Sequence, residues 1–138
     1  MLLSLVPGGV AAAGVAAGGI SMVMAPAPRD PGRVRRVCRL SDMDVGGQVT
    51  LADDNVLLLR DHNGLHAISL ECTHLGCAVN RHQEGFQCHC HGSVFDEDGR
   101  PLVGPATRNL PWFAVTLHEG WVLVDLDRTV DTGTITAV

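Results

Sequence analysis

The chain has 138 residues, a formal net charge of −5 and 46% hydrophobic residues, with 5 Cys and 7 His. That length suits a single domain of the usual size, about 100–200 residues. It excludes a two-domain nucleotide-binding dehydrogenase, a barrel enzyme and a polytopic transporter. The acidic balance argues against nucleic acid as a partner, which would require a basic face. The charge is unevenly spread, +4 over residues 1–40 and −9 over the remainder. There is no Tyr, and all 10 basic residues are Arg.

In chain order, residues 1–28 carry no charged side chain. The apolar stretch within them reaches the roughly 17–25 residues that a membrane span needs, so residues 1–27 are expected to form a transmembrane anchor. A cleaved leader is the alternative. It would want a basic first segment, which is missing, although Ala25-Pro26-Ala27 resembles a small-residue cleavage site. The Pro-rich string Pro26-Ala27-Pro28-Arg29-Asp30-Pro31-Gly32 cannot continue a helix, and residues 28–36 are expected to form a linker or hinge. The Arg cluster at 29–39 would, by the positive-inside rule alone, lie in the cytoplasm.

From residue 37 to 138 a second unit is expected, all-β and antiparallel, a small sandwich or barrel. Val34–Leu40, Gln48–Leu51, Asn55–Arg60 and Leu65–Leu70 are apolar or β-branched runs of strand length, and Asn63-Gly64 is a hairpin dipeptide. Trp112–Leu117 and Trp121–Leu126 read as a further hairpin across His118-Glu119-Gly120. No 3.6-residue period is evident past residue 30. Residues 71–111 break the strand rhythm and read as a loop-rich subdomain. They hold four of the 5 Cys and four of the 7 His, and so long a loop segment in a compact domain usually has a function.

Two strings concentrate the chemistry: Cys72-Thr73-His74-Leu75-Gly76-Cys77 and Cys88-His89-Cys90-His91-Gly92-Ser93. They offer more thiols and imidazoles than one tetrahedral metal needs. Either four Cys hold one ion, or two Cys and two His hold a metal while the other two Cys do something else. A structural zinc site is the bland alternative.

Together with Gly104-Pro105-Ala106, these strings resemble the Rieske iron–sulfur proteins over roughly residues 65–111. The resemblance implies a 2Fe-2S cluster of Rieske type, with Cys72 and Cys88 on one iron and His74 and His91 on the other. It also implies a disulfide between Cys77 and Cys90 tying the two loops together. Replacing two thiolates by two neutral imidazoles leaves the oxidised cluster uncharged, so it accepts an electron more readily. Such centres have potentials of about −150 to +300 mV, against about −400 mV for plant-type all-Cys clusters.

By the same resemblance Ser93 donates a hydrogen bond to a bridging sulfide, and Leu75 shields the cluster from water. Gly104 and Pro105, of the downstream Gly-Pro-Ala loop, are expected among the residues that tune the cluster. Two departures stand out. Phe95 occupies a position where quinol-oxidising members usually carry a Tyr bonded to a cysteine sulfur, and His89 stands where the family commonly has Pro. His62, His66, His82, His89 and His118 are expected to be ordinary solvent-facing side chains, and Cys38 a free thiol with no partner.

The function implied is that of the iron–sulfur subunit of a membrane quinol:cytochrome c oxidoreductase. Its partners would be a cytochrome b subunit, quinol at the interface and a c-type cytochrome. His91 would contact quinol and couple electron to proton transfer, with His74 beside it. The head would lie on the periplasmic, or extracytoplasmic, side of a bacterial plasma membrane, opposite to what the Arg cluster alone suggests. The alternative is an electron-relay subunit of a periplasmic molybdenum oxidase, or a stand-alone exported Rieske protein.

Overall fold

The computed structural model describes residues 32–82 and 85–138. The predicted anchor at 1–27 lies outside the described residues, as do residues 28–31 of the linker. Among the described residues no helix is long and apolar enough to cross a membrane.

Among the described residues ten strands run in the order β1 (Val34–Arg39), β2 (Gln48–Leu51), β3 (Val56–Arg60), β4 (Leu65–Ser69), β5 (Asn80–His82), β6 (Gly85–Gln87), β7 (Val94–Asp96), β8 (Pro101–Val103), β9 (Trp112–His118) and β10 (Trp121–Val130). All pairings are antiparallel, and they build a six-stranded sheet, β1-β10-β9-β4-β3-β2, and a four-stranded sheet, β5-β6-β7-β8. The all-β antiparallel, barrel-like architecture is as the sequence suggested. The folded unit begins earlier than residue 37, because residues 34–36 are already paired with β10.

Two apolar cores explain the strand sequences. Val56 and Leu58 of β3 enter one core with Leu65, Ala67, Val122 and Val124, while Leu57 enters a second with Ile68, Phe86, Phe95 and Trp112. A strand buried on both faces reads as a continuous apolar run rather than an alternation. The second core lies between the two sheets, and it contains Cys72 and Cys88.

The segment around β1 is tied by side chains to the turn Ala52–Asp54 that follows β2. Arg35 Nε and Nη2 donate to the two carboxylate oxygens of Asp54 at 2.7 and 3.0 Å, and Arg33 Nη2 adds a bond at 3.3 Å. The paired guanidinium groups hold the Asp54 carboxyl below its ordinary range. A bulge between Arg36 and Cys38 lets both Val37 and Cys38 pack against the first core. It also leaves Arg36 and Arg39 against the Trp121 ring, at 4.5 and 4.6 Å from its centroid.

Turn chemistry follows the sequence. Asp61 Oδ1 accepts from the amides of Asn63 and Gly64, and Glu119 and Gly120 both take positive φ between β9 and β10, as a tight hairpin turn requires. His118 belongs to β9 rather than to the turn, and β10 runs four residues past Leu126.

Residues 71–111 are loop-rich, as the sequence suggested, and they also carry the short strands β5 to β8. Each of these strands has only three residues, too short for alternation to be legible. One expectation is corrected. His66 is not solvent-facing: its side chain is 12% exposed and stacks on Trp112 at 4.7 Å. Burial lowers its affinity for a proton, partly opposed by Asp61 and Asp98. The unfolded chain therefore takes up that proton before the folded one, and folding stability is lost as pH falls from about 7 through the ordinary imidazole range. His66→Phe keeps the stacking and removes the titration. Thermal melts of this variant between neutral and mildly acidic pH are expected to show a shallower acid loss than the parent; an unchanged slope would exclude His66 as the source.

Candidate metal centre

The two cysteine–histidine strings form loops of one design. Loop one connects β4 to β5, and loop two connects β6 to β7. In loop one the Cys72 amide donates to the Cys77 carbonyl at 2.7 Å, and the Gly76 amide to the Cys72 carbonyl at 2.9 Å. In loop two the same two bonds recur, Cys88 to Ser93 at 2.8 Å and Gly92 to Cys88 at 3.1 Å. Gly76 and Gly92 close these turns with φ of +78° and +76°, a conformation that glycine adopts without penalty. Each loop thus presents a cysteine at its root and a histidine near its tip.

The loops face one another. The rings of His74 and His91 meet edge-on with centroids 4.9 Å apart. Cys77 and Cys90 are joined in a disulfide with Cα atoms 6.6 Å apart. Cys72 and Cys88 remain free and buried, while Cys38 is free, half-buried and distant in the fold, its thiol pushed up chiefly by burial.

A third segment seals the arrangement. Ser93 is fully buried, and its Oγ accepts the Ala106 amide at 3.2 Å. That leaves the Ser93 hydroxyl hydrogen free to donate elsewhere. Gly104 has φ +97°, and a Cβ there would lie 2.5 Å from Ser93 Cα. Sequence reasoning missed the remaining clasp: Thr73 Oγ1 donates to the Arg108 carbonyl at 2.7 Å, and Arg108 Nη2 donates back to the Thr73 carbonyl at 3.3 Å. It also missed Gly85, where a Cβ would lie 2.1 Å from the Phe95 carbonyl oxygen. Neither residue stood in a pattern that marks a contact between distant segments.

Phe95 lies on β7, fully buried in the core that holds Cys72 and Cys88. Leu75, expected to cover the centre, is 70% exposed at the loop tip, so any shielding it provides is from the outside. His91, His89, His62, His82 and His118 are exposed, and His74 is half-buried.

The residues present suit a metal cluster. His74 Nδ1 is buried without a hydrogen-bond partner, a costly condition for a polar atom unless something else binds it. Two buried free thiols stand on facing loops, and a bridge has withdrawn the other two from coordination. Among the described residues, the sulfurs of Cys77, Cys88 and Cys90 also lie within 4.8 Å of one another. While the bridge stands, two of those three cannot serve as thiolates.

Fold and loops together define a β-barrel protein that carries a cysteine–histidine metal centre between two hairpin loops. The family model of the Rieske [2Fe-2S] domain matches residues 33–114, and the chain belongs to that family. Its cofactor is a Rieske-type 2Fe-2S cluster and its chemistry is electron transfer.

Similar proteins include the cytochrome b6-f complex iron-sulfur subunit of Chlorobaculum tepidum, 33% identical over 76 residues, covering 54% of this chain and 42% of the relative. The ubiquinol-cytochrome c reductase iron-sulfur subunit of Bradyrhizobium diazoefficiens is 54% identical over 43 residues, 29% of this chain and 24% of the relative. The matched parts therefore span less than half the length of these relatives. Among solved structures, the plasma membrane Rieske protein PetC3 from Synechocystis PCC 6803 aligns with a TM-score of 0.51 and 29% identity, over 66% of this chain and 98% of that one.

Proposed function

We propose that Cys72, Cys88, His74 and His91 hold the cluster and that the chain serves as the iron–sulfur subunit of a quinol-oxidising membrane complex of cytochrome bc type. When bound, the cluster supplies a one-electron site. The observation that carries this reading is the surface around His91. Leu75, next to His74, is 70% exposed, and Val103, which pairs with Val94 beside loop two, is 63% exposed. Exposed apolar side chains grouped around a polar tip mark a docking surface. On this reading the His91 imidazole, exposed at that tip, receives the quinol hydroxyl and its proton, and Leu75 seats against a cytochrome b subunit. A c-type cytochrome then accepts the electron.

In the same proposal residues 1–27 anchor the chain, residues 28–36 form the hinge, and the head works on the extracytoplasmic side of a bacterial plasma membrane. The Cys77–Cys90 bridge supports that side, because disulfides persist mainly in oxidising compartments. The test is the low-temperature EPR spectrum of the reduced cluster in native membranes, with and without a quinol-site inhibitor. A line shape that changes with inhibitor is expected. An unchanged spectrum, with no co-purifying cytochrome b, would favour the second reading, an exported electron relay that never meets quinol.

Phe95 is what keeps that second reading in view. Its ring packs but donates no hydrogen bond, so on this reading Ser93 remains, of the two hydroxyl donors expected from the resemblance. Phe95→Tyr is expected to raise the midpoint potential, since hydrogen bonds to sulfur favour the more negative reduced state. Redox titration checks it, with a thermal melt beside it. If the potential does not rise while the fold is intact, the missing hydroxyl does not set the voltage.

A further inference from the structure

The cysteines of the two loops admit two divisions, four on one ion or two shared with two histidines. We propose that the Cys77–Cys90 bridge enforces the second, and that opening it creates a separate thiolate metal site from Cys77, Cys88 and Cys90, suited to Zn²⁺ or Cd²⁺. The three Sγ atoms lie within 4.8 Å of one another. A tetrahedral zinc with Zn–S bonds of about 2.3 Å spaces its sulfurs about 3.8 Å apart, so once the bridge opens its two sulfurs separate while the most distant pair closes by about 1 Å. Soft thiolates are the donors such ions prefer.

Access and exclusion both follow from burial. Cys90 is exposed, Cys77 half-buried and Cys88 buried, so an ion arriving from solvent meets the bridge cysteines first and Cys88 last. With the bridge closed, Cys88 is the single thiol left of the three. With it open, Cys88 is claimed by two sites at once, the thiolate site and the cluster, and the two cannot be filled together. The bridge is then a selectivity device, which keeps two thiolates out of the reach of competing ions. The competition rests on Cys88 being a cluster ligand; the thiolate site itself does not.

A water-soluble phosphine opens the bridge without adding a competing thiolate. The S–S bond accepts two electrons from phosphorus, each sulfur takes one proton, and water supplies both protons and the oxygen of the phosphine oxide. Metal binding then displaces the thiol protons.

The experiment uses the full iron-loaded chain under anaerobic conditions, with Cd²⁺ present and the phosphine added or omitted. Bound cadmium and iron are measured by elemental analysis after desalting, and thiolate-to-cadmium absorption in the ultraviolet. Without phosphine no stoichiometric cadmium is expected. With it, one equivalent is expected, together with the absorption band and loss of iron. Cys38→Ser is expected to behave like the parent, whereas Cys77→Ser/Cys90→Ser, which lacks both bridge and thiolates, takes up none. Equal uptake by the parent and the double variant, or no uptake by the opened parent, overturns the proposal. Iron retained beside one equivalent of cadmium would leave the thiolate site standing and remove Cys88 from the cluster's ligands.

Discussion

Replacing Cys77 and Cys90 together by Ser is expected to destabilise the full chain by about 3 kcal/mol, the chain entropy released when a loop of this size is no longer closed. The two residues are 13 apart in sequence, and their bond ties loop one to loop two. For a unit of roughly 100 residues that loss lowers the melting temperature by about 4–8 °C per kcal/mol. The consequence for the centre is the more telling part. Each loop has its own internal hydrogen bonds, Cys72 to Cys77 and Cys88 to Ser93, so each survives alone. What the bridge adds is their mutual position. Iron content of the purified double variant is therefore expected to fall well below that of the parent, even at temperatures where the fold persists. Denaturant unfolding and iron analysis check both parts. A loss below about 1 kcal/mol with full iron content would mean that the bridge does neither.

Gly104→Ala carries the second large effect. Gly104 sits at φ +97°, and a methyl group there would meet Ser93 Cα at 2.5 Å and the Gly92 carbonyl oxygen at 2.8 Å. A left-handed conformation costs a residue with a Cβ about 1–2 kcal/mol, and overpacking adds about 1–3 kcal/mol. Gly133 separates the two terms: its φ is +91°, and nothing lies within 4 Å of its would-be Cβ. Gly133→Ala is expected to cost the conformational part alone and to leave the cluster untouched. Gly104→Ala is expected to cost about 3 kcal/mol, to break the bond from the Ala106 amide to Ser93, and to shift the cluster's absorption spectrum. Equal stabilities and unchanged spectra in the two variants would contradict the packing of the Gly104–Ala106 segment against loop two.

How much of this was legible in the sequence depends on distance along the chain. The apolar run of β3 announced a strand, and Asn63-Gly64 and Glu119-Gly120 announced turns, because each signal is local. The cysteine–histidine strings were equally plain, since two short loops with ligands and glycines at similar offsets leave a compact signature. The bulge at Arg36–Cys38 and the three-residue strands β5 to β8 were not legible, because neither sustains a period long enough to read. His66 was misjudged for another reason. An isolated histidine beside a turn looks solvent-facing until Trp112, more than forty residues away, is found beneath it. The Thr73–Arg108 clasp and the close approach at Gly85 are likewise products of the fold, invisible until distant segments meet.

The site assembled here differs from a structural zinc site in one physical respect, the division of labour among its sulfurs. Two cysteines are spent on the covalent tie between loops, and in the proposed ligand set two histidines complete the coordination, one of them with a buried nitrogen that has no partner among the described residues. Imidazole ligands would also give the centre an exposed edge at His91, where a fully buried all-thiolate site would have none.

The most direct measurement is pulsed EPR on the reduced full chain, produced with nitrogen-15 histidine. The account predicts a single 2Fe-2S signal coupled to two histidine nitrogens, both lost with the cluster in His74→Ala and His91→Ala. A signal with no histidine coupling, or a protein that holds zinc and gives no iron signal, would contradict it.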